Sequence, residues 1–437
     1  MSDNSLSRND IDQSLTDSDL TYLAKNSSSL VIERTSKRSY ADNPEYGTGN
    51  TNLVVNFQTG VDYVDGRNSY LRMVVEPNKL TNDKISWGYG TVLNLIDTVT
   101  IKSRSGTVLG RTERVNLLQY YETKYKNSYS YFGSTLGGVQ AEGGGMASGL
   151  LGYSDGLTGD TLGPSREYNI PLHLIHSFFD QENLLPSMVM KGMRLEITLA
   201  DASTAFKVTD GTPIAPTYVV RNVWASLDSY RLTDDAMRKL NDMSREAEGL
   251  VLQYHDYEQS RFTRPVGVNN VSTEVRKTVS MANEAFLVTR IETNINDKAK
   301  DSFLAQPLTD GDRYQWRVGS MYLPQTELQG QAAWYANACY CKGQLKSREQ
   351  PFVKYEHTLA PTIPTFTSTA SAGGGYAISC VDLDRYWLDL SGLAINNSVT
   401  LNANMEYSDA SAAGELDLFL KHTRRIAVYN DNIIVMD

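Results

Sequence analysis

Five histidines and three cysteines are the scarcest chemistry-bearing residues in this 437-residue chain. His173 and His176 stand three apart, a spacing that two metal ligands can use. No third ligand stands near them in sequence, and a histidine pair alone is a weak metal signal, so both read as structural. Cys339 and Cys341 form neither a zinc pair nor a redox C-x-x-C; on a strand they would point the same way, and Cys380 is isolated. Reduced, structural thiols and synthesis in a reducing compartment are therefore expected. Asp382 and Asp384 alternate onto one strand face, as a glycosidase carboxylate pair could. Arg385 beside them points instead to a salt-bridged strand end. Asp62, Asp65 and Arg67 surround an Asp65-Gly66 turn signal and read as a charged turn that fixes a loop. Arg34, Lys37 and Arg38 form a basic cluster that could meet a membrane surface or packaged nucleic acid; a solvated face is the simpler reading. Neither a G-x-S-x-G nucleophile elbow nor an H-E-x-x-H zinc helix occurs. No catalytic, cofactor-binding or metal residue is assigned, and a non-enzymatic protein without a cofactor is expected.

Across the whole chain apolar residues make up 41%, with 26 tyrosines and 32 glycines, which suits a β-rich protein with many loops. A net charge of −10 argues against specific nucleic-acid binding, which needs concentrated Lys and Arg. No apolar run reaches the length of a membrane span. The opening MSDNSLSRNDIDQSLTDSDL lacks the basic and apolar parts of a signal peptide. Residues 132–159 hold ten glycines in 28 positions without a period or a phosphate-loop pattern. Such a stretch costs much entropy to order, so it reads as an exposed excursion or one ordered by neighbouring subunits. Residues 360–375 read as a second flexible loop.

The sequence period changes once near the middle, between Trp224 and Phe262. Ala236, Leu240, Met243, Ala247 and Leu250 fall on one helical face, with Thr233 as N-cap and Gly249 as C-cap. Short strands lie on both sides, bounded by Asn, Asp, Gly or Pro, as in sandwiches and barrels. Met193, Leu195, Ile197 and Leu199 alternate strictly with polar residues. Leu416, Leu418 and Leu420 alternate with Asp417, Phe419 and Lys421. Trp316, Val318 and Ser320 oppose Arg317 and Gly319, and Pro324 is expected to end that strand. Residues 112–131 suit either a short helix or a strand, and 331–341 is aromatic and helix-compatible. Asn430-Asp431-Asn432 reads as a tight reversal into a terminal strand. The expected division is a flexible N-terminal arm at 1–29, a β domain at 30–230, a connecting helix at 231–249 and a second β domain at 250–437. The two halves show a coarse symmetry too weak in sequence to establish a repeat.

The segments VDYVDGRNSYLRM (61–73), IPLHLIHSFF with LPSMVMKGMRLEITL (170–199), the crossover from Trp224 to Tyr257, YQWRVGSMYLP (314–324), CVDLDRYWLDLSGLAI (380–395) and the closing ELDLFLKHTRRIAVYND keep a telling order. In that order and spacing the chain resembles the double jelly-roll major capsid proteins of double-stranded DNA viruses, the group of nucleocytoplasmic large DNA viruses, virophages and polinton-like viruses. The resemblance implies an all-β chain of two tandem eight-stranded jelly rolls, packed side by side with the central helix between them. It implies a homotrimer forming a pseudo-hexameric capsomer of an icosahedral virion. Partners would be neighbouring capsomers, minor capsid or penton proteins, and an internal membrane touched by the N-terminal arm. Loops 132–159 and 360–375 would crown the outer face or reach between subunits.

Other roles would leave other traces. A minor capsid, penton or spike protein is the nearest alternative, though a penton normally carries one jelly roll per chain. A β-sandwich glycan-binding or hydrolytic protein would need a concave sheet face lined by exposed aromatics, for which Trp316, Trp334 and Trp387 are the available residues.

Overall fold

The computed structural model describes residues 31–78, 84–87, 90–126, 165–209, 217–245, 250–275, 277–295, 297, 299–343, 377–384, 393–395, 399–429 and 432–436. The arm at 1–29, both long loops, Ala247 and Gly249 lie outside them.

Besides three short strands, the first half builds its two main sheets from β1 (Val31–Tyr40), β2 (Asn52–Asn56), β3 (Tyr63–Asn78), β4 (Ile96–Lys102), β5 (Val108–Thr112), β6 (Arg166–Pro171), β7 (Arg194–Leu199) and β8 (Thr217–Leu232). They form one sheet in the order β1-β8-β3-β6 and a second in the order β2-β7-β4-β5. The second half repeats the plan with β9 (Leu250–Arg264), β10 (Asn270–Val275), β11 (Val279–Ile291), β12 (Arg313–Val318), β13 (Met321–Gln329), β14 (Ser379–Asp382), β15 (Leu401–Glu406) and β16 (Gly414–Tyr429). Its sheets run β9-β16-β11-β14 and β10-β15-β12-β13. Counted within each half, both sheets therefore pair 1-8-3-6 and 2-7-4-5, the jelly-roll order. A symmetry only faintly visible in the residues is complete in the hydrogen-bond ladders.

The alternation of apolar residues sets each core. Leu195, Ile197 and Leu199 of β7 point inward to meet Leu71, Met73 and Val75 of β3, all buried. In the second roll Tyr314, Trp316 and Val318 of β12 meet Leu416 and Leu418 of β16. The longer helices among the described residues are α1 (Val115–Lys126), α2 (Asp234–Arg245) and α3 (Gln331–Cys341). Residues 112–131, compatible with helix or strand, thus contain a helix, because its buried Leu117, Leu118, Tyr121 and Tyr125 recur at helical spacing. The Thr233 Oγ1 accepts from the Ala236 amide at 3.5 Å, as an N-cap does.

Several local expectations are corrected. The charged turn expected at Asp65-Gly66 fixes no loop; it sits inside β3, where the register against β8 jumps from Tyr70↔Ser226 to Asp65↔Asp228. Asp65 Oδ1 accepts from the amides of Arg67 and Asn68, which folds the extra residues into a bulge. Gly66 is required there, since a Cβ would stand 2.3 Å from the Phe179 carbonyl oxygen. Ser320 lies in the turn between β12 and β13, and Pro324 lies within β13. That strand tolerates a proline because it is the sheet edge and shifts register beside it. Cys339 and Cys341 lie on α3, where a separation of two turns their side chains apart.

Candidate functional site at the seam between the rolls

The central crossover does not fill the space between the rolls by itself. The apolar side of α2, through Ala236, Met237 and Leu240, packs against Tyr63, Leu184 and Leu232 of the first roll. The first roll reaches into the second through α1, whose Leu117, Leu118, Tyr120, Tyr121 and Tyr125 belong to the second roll's core. In the opposite direction Tyr254, Ile426 and Val428 of the second roll join the core of the first. Each hydrophobic core therefore contains residues of both rolls. The alternation read in β16 is real, but Glu415, Leu416, Asp417, Leu418, Phe419 and Leu420 are all buried. Leu416, Leu418 and Leu420 share one strand face, and Phe419 stacks on Phe286 with ring centroids 5.1 Å apart on the other.

Covering that second face brings charges inside, and three sets of them find partners from elsewhere in the chain. Lys342, just past α3, is fully buried, and its Nζ pairs with Glu122 of α1 and Glu284 of β11. It also stands 3.9 Å from the centroid of the Phe286 ring. Burial disfavours the ammonium, but the Glu122 and Glu284 carboxylates outweigh it and hold the Lys342 pKa above the ordinary range. Burial likewise pushes the Glu122 carboxyl up, and Lys126 with Lys342 reverses this to hold it well below the usual carboxylate range.

A second set lies deeper along β16. Arg290 Nη2 donates to Glu415 Oε1 at 2.5 Å and Asp417 Oδ2 at 2.6 Å, and Nη1 donates to the Ser302 carbonyl at 2.9 Å. Arg261 also pairs with Glu415, and Arg114 approaches it to 3.8 Å from the residue before α1. Arg114 holds a φ of 54°, a left-handed conformation that is costly for a residue with a Cβ.

The third set joins β5 to β9. Asp256 accepts from Thr112 Oγ1 at 3.2 Å and from Arg424 Nη1 at 2.7 Å, with His176 Nε2 at 3.5 Å. Burial raises the Asp256 carboxyl; His176, Arg424 and His422 together bring it below its ordinary value. The Tyr254 hydroxyl donates to the Leu109 carbonyl. Gln181 Nε2 donates to the Gln253 carbonyl at 3.0 Å. Gly110 permits the approach, because a Cβ there would lie 2.6 Å from the His176 ring.

His176 belongs to the seam, whereas His173 does not join it, and burial lowers the His173 pKa. Among the described residues no group of three or more His, Cys, Asp or Glu could hold a metal ion. Cys339 and Cys380 are buried, Cys341 is half-buried, and all three are free thiols. Asp384 accepts from Asn283 Nδ2 at 2.9 Å, while Arg385 lies outside the described residues. Arg34 pairs with Asp228 through two hydrogen bonds of 3.0 and 2.7 Å, Lys37 pairs with Asp62, and Arg38 stacks 4.5 Å from the centroid of Trp224. Arg67 pairs with Asp180 at 2.7 Å. Trp316 and Trp334 are core residues, so neither lines an exposed aromatic face; Trp387 lies outside the described residues. An open depression of 640 Å³ lined by Glu45, Asn50, Glu76 and Tyr218 contains none of the seam charges. Sequence reading passed over the buried charges altogether. The one signal available was Asp417 and Lys421 set in the apolar run ELDLFLK.

Two eight-stranded rolls of identical strand order, joined by a helical crossover and locked by shared cores, define the double jelly-roll class. No family model and no curated protein sequence matches the chain. Solved structures do. The Faustovirus major capsid protein is 10% identical, with 91% of each chain covered and a TM-score of 0.58. The PBCV-1 virus capsid, in its quasi-atomic model, is 10% identical over 93% of this chain and 96% of that one, with a TM-score of 0.57. For the mavirus major capsid protein the values are 10%, 92%, 90% and 0.51. At this identity the shared property is the fold, and it extends over nearly the whole chain.

Proposed function

We propose that this chain is a structural capsid protein, a shell-building subunit of an icosahedral virion. The observation that carries the reading is the repeated strand order, 1-8-3-6 and 2-7-4-5 in both rolls, on a chain whose fold matches capsid proteins over 91–92% of its length. On this reading the rolls are the segments 30–230 and 250–437, with 231–249 as the connection. Three copies close into a capsomer of pseudo-hexagonal outline, because two like rolls per chain supply six lobes around a threefold axis. Neighbouring capsomers meet along its sides. Minor capsid or penton proteins, and an internal membrane met by the arm at 1–29, are the further partners.

The seam supports a load-carrying role: charges paired across it and a core shared by both rolls make a rigid block. The same pairing engages those carboxylates in structure, in keeping with a non-enzymatic protein. Two rolls in one chain favour the main shell subunit over a penton. Negative-stain imaging of the purified chain tests the reading. Particles of hexagonal outline, or closed shells built from them, are expected; single two-lobed bodies at every concentration and ionic strength would contradict it.

A further inference from the structure

Lys421 stands among the seam charges yet joins none of their pairs. It is half-buried on β16, where its register partners are Glu284 of β11 and Tyr257 of β9. Partners across an antiparallel ladder share a face, so Lys421 lies on the side of the sheet that α1 covers. The Glu284 carboxylate is taken there by Lys342, and Glu122 of α1 is shared between Lys342 and Lys126. Three ammonium groups therefore meet two carboxylates. Among the described residues no carboxylate or hydrogen-bond acceptor reaches the Lys421 Nζ.

His255 extends the same positive niche. It lies two residues from Tyr257 on the same strand face, with Nδ1 3.5 Å from Thr423 Oγ1, and it is open to solvent. Burial of the ring, then Lys421 and Lys126, bring its pKa down to about 4, with His422 acting in the same sense. Asp180 opposes them, but its carboxylate is already bonded to Arg67 at 2.7 Å. Burial and Lys126 likewise hold Lys421 below the ordinary lysine value, although Glu284 and Glu122 act to raise it. An unpaired ammonium taken out of water is costly, and a cation-lined niche with low-dielectric walls concentrates anions.

We propose that Lys421, Lys126 and His255 form a binding site for a small oxyanion of the phosphate class, which supplies the third negative charge the niche lacks. Lysine binds phosphate as a point charge, so no fixed fork geometry is needed. A free ion is the occupant assigned: Lys421 is half-buried beneath α1, and a phosphodiester would have to bring its chain into the seam. The bound ion would join α1 of the first roll to β9 and β16 of the second, and it does so within one chain, independently of how chains assemble.

The full chain is melted in rising inorganic phosphate and in sodium chloride of equal ionic strength. Wild type is expected to gain melting temperature with the logarithm of phosphate concentration once the site fills, beyond the effect of chloride. Lys421→Met is expected to melt no lower than wild type without phosphate, since it removes a desolvated cation, and to lose the phosphate-specific gain. Lys300→Met, at an exposed lysine elsewhere, should keep it. Dimethyl phosphate, standing for a phosphodiester, should give none. In wild type carrying isotopically labelled histidine, phosphate should raise the His255 titration midpoint further than chloride does; this readout needs no lysine variant to fold. No phosphate-specific gain in wild type, an equal gain in Lys421→Met, or a His255 midpoint that moves alike in both salts would overturn the site. A gain in dimethyl phosphate equal to that in phosphate would overturn the assignment to a free ion.

Discussion

Lys342 and Glu122 lie 220 residues apart, on opposite sides of the central crossover, and pair inside the protein with almost no exposure to solvent. The pair joins the end of α3 to the first roll's α1, and Glu284 of β11 completes it. Removing one member of such a set leaves the others charged and uncompensated in a low-dielectric interior. Lys342→Met is expected to cost about 3–5 kcal/mol. Thermal melting checks this, and the triple change Lys342→Met, Glu122→Gln, Glu284→Gln should recover much of the loss because no charge is then stranded.

The same seam sets a response to acid. The Glu122 and Asp256 carboxyls are both held below their ordinary values, in each case by cations that outweigh the cost of burial. A depressed folded-state pKa contributes stability that is complete above the unfolded value, roughly pH 4, and is lost as pH falls through the folded one. Melting temperature measured from neutral pH downward should therefore hold until near that value and then decline. Glu122→Gln should start lower and decline less, and a variant that tracks wild type through the whole acid range would contradict this assignment.

Helix α1 belongs to the first roll by sequence, yet its Leu117, Leu118, Tyr120, Tyr121 and Tyr125 pack in the core of the second. Leu118→Ala is expected to cost about 2–5 kcal/mol, the range for a buried leucine truncation. The diagnostic reading is where the loss is felt. Hydrogen exchange should quicken in β11 and β16, more than 150 residues further along the chain, before it does in the β2-β7-β4-β5 sheet that precedes and follows the helix.

Burial raises the pKa of all three thiols, Cys339, Cys341 and Cys380. Little thiolate is then present near neutral pH, and access is poor as well. A thiol-reactive chromophore should label the native protein slowly and all three cysteines promptly once it is denatured. Rapid labelling of native Cys380 would contradict its placement against Phe286 on β14.

What the sequence made legible follows from what is local. The strict alternation in Met193 to Leu199 gave a strand, and Thr233 with the apolar positions after it gave a helix, because periodicity and caps are short-range. Even the bulge at Asp65-Gly66 was visible as a break, although its nature depended on Phe179, more than a hundred residues away. The seam was not legible. Alternation of leucine with Asp417 and Lys421 looks the same whether the polar face meets water or meets Arg290, and only the fold brings Arg290 there. Likewise the tyrosines of α1 fit a strand or a helix until the core they enter is known. The resemblance to capsid proteins carried the architecture further than the residues alone did, since the order and spacing of segments can agree at 10% identity.

On the proposed reading, two like rolls locked into one block assemble as a trimeric building unit. The mass of the native species in dilute solution, determined by analytical ultracentrifugation with the full chain, tests it most directly. Three times the 48.6 kDa of one chain is the predicted result. A single-chain mass that persists as concentration rises, above all with measurable binding of an oligosaccharide, would contradict it.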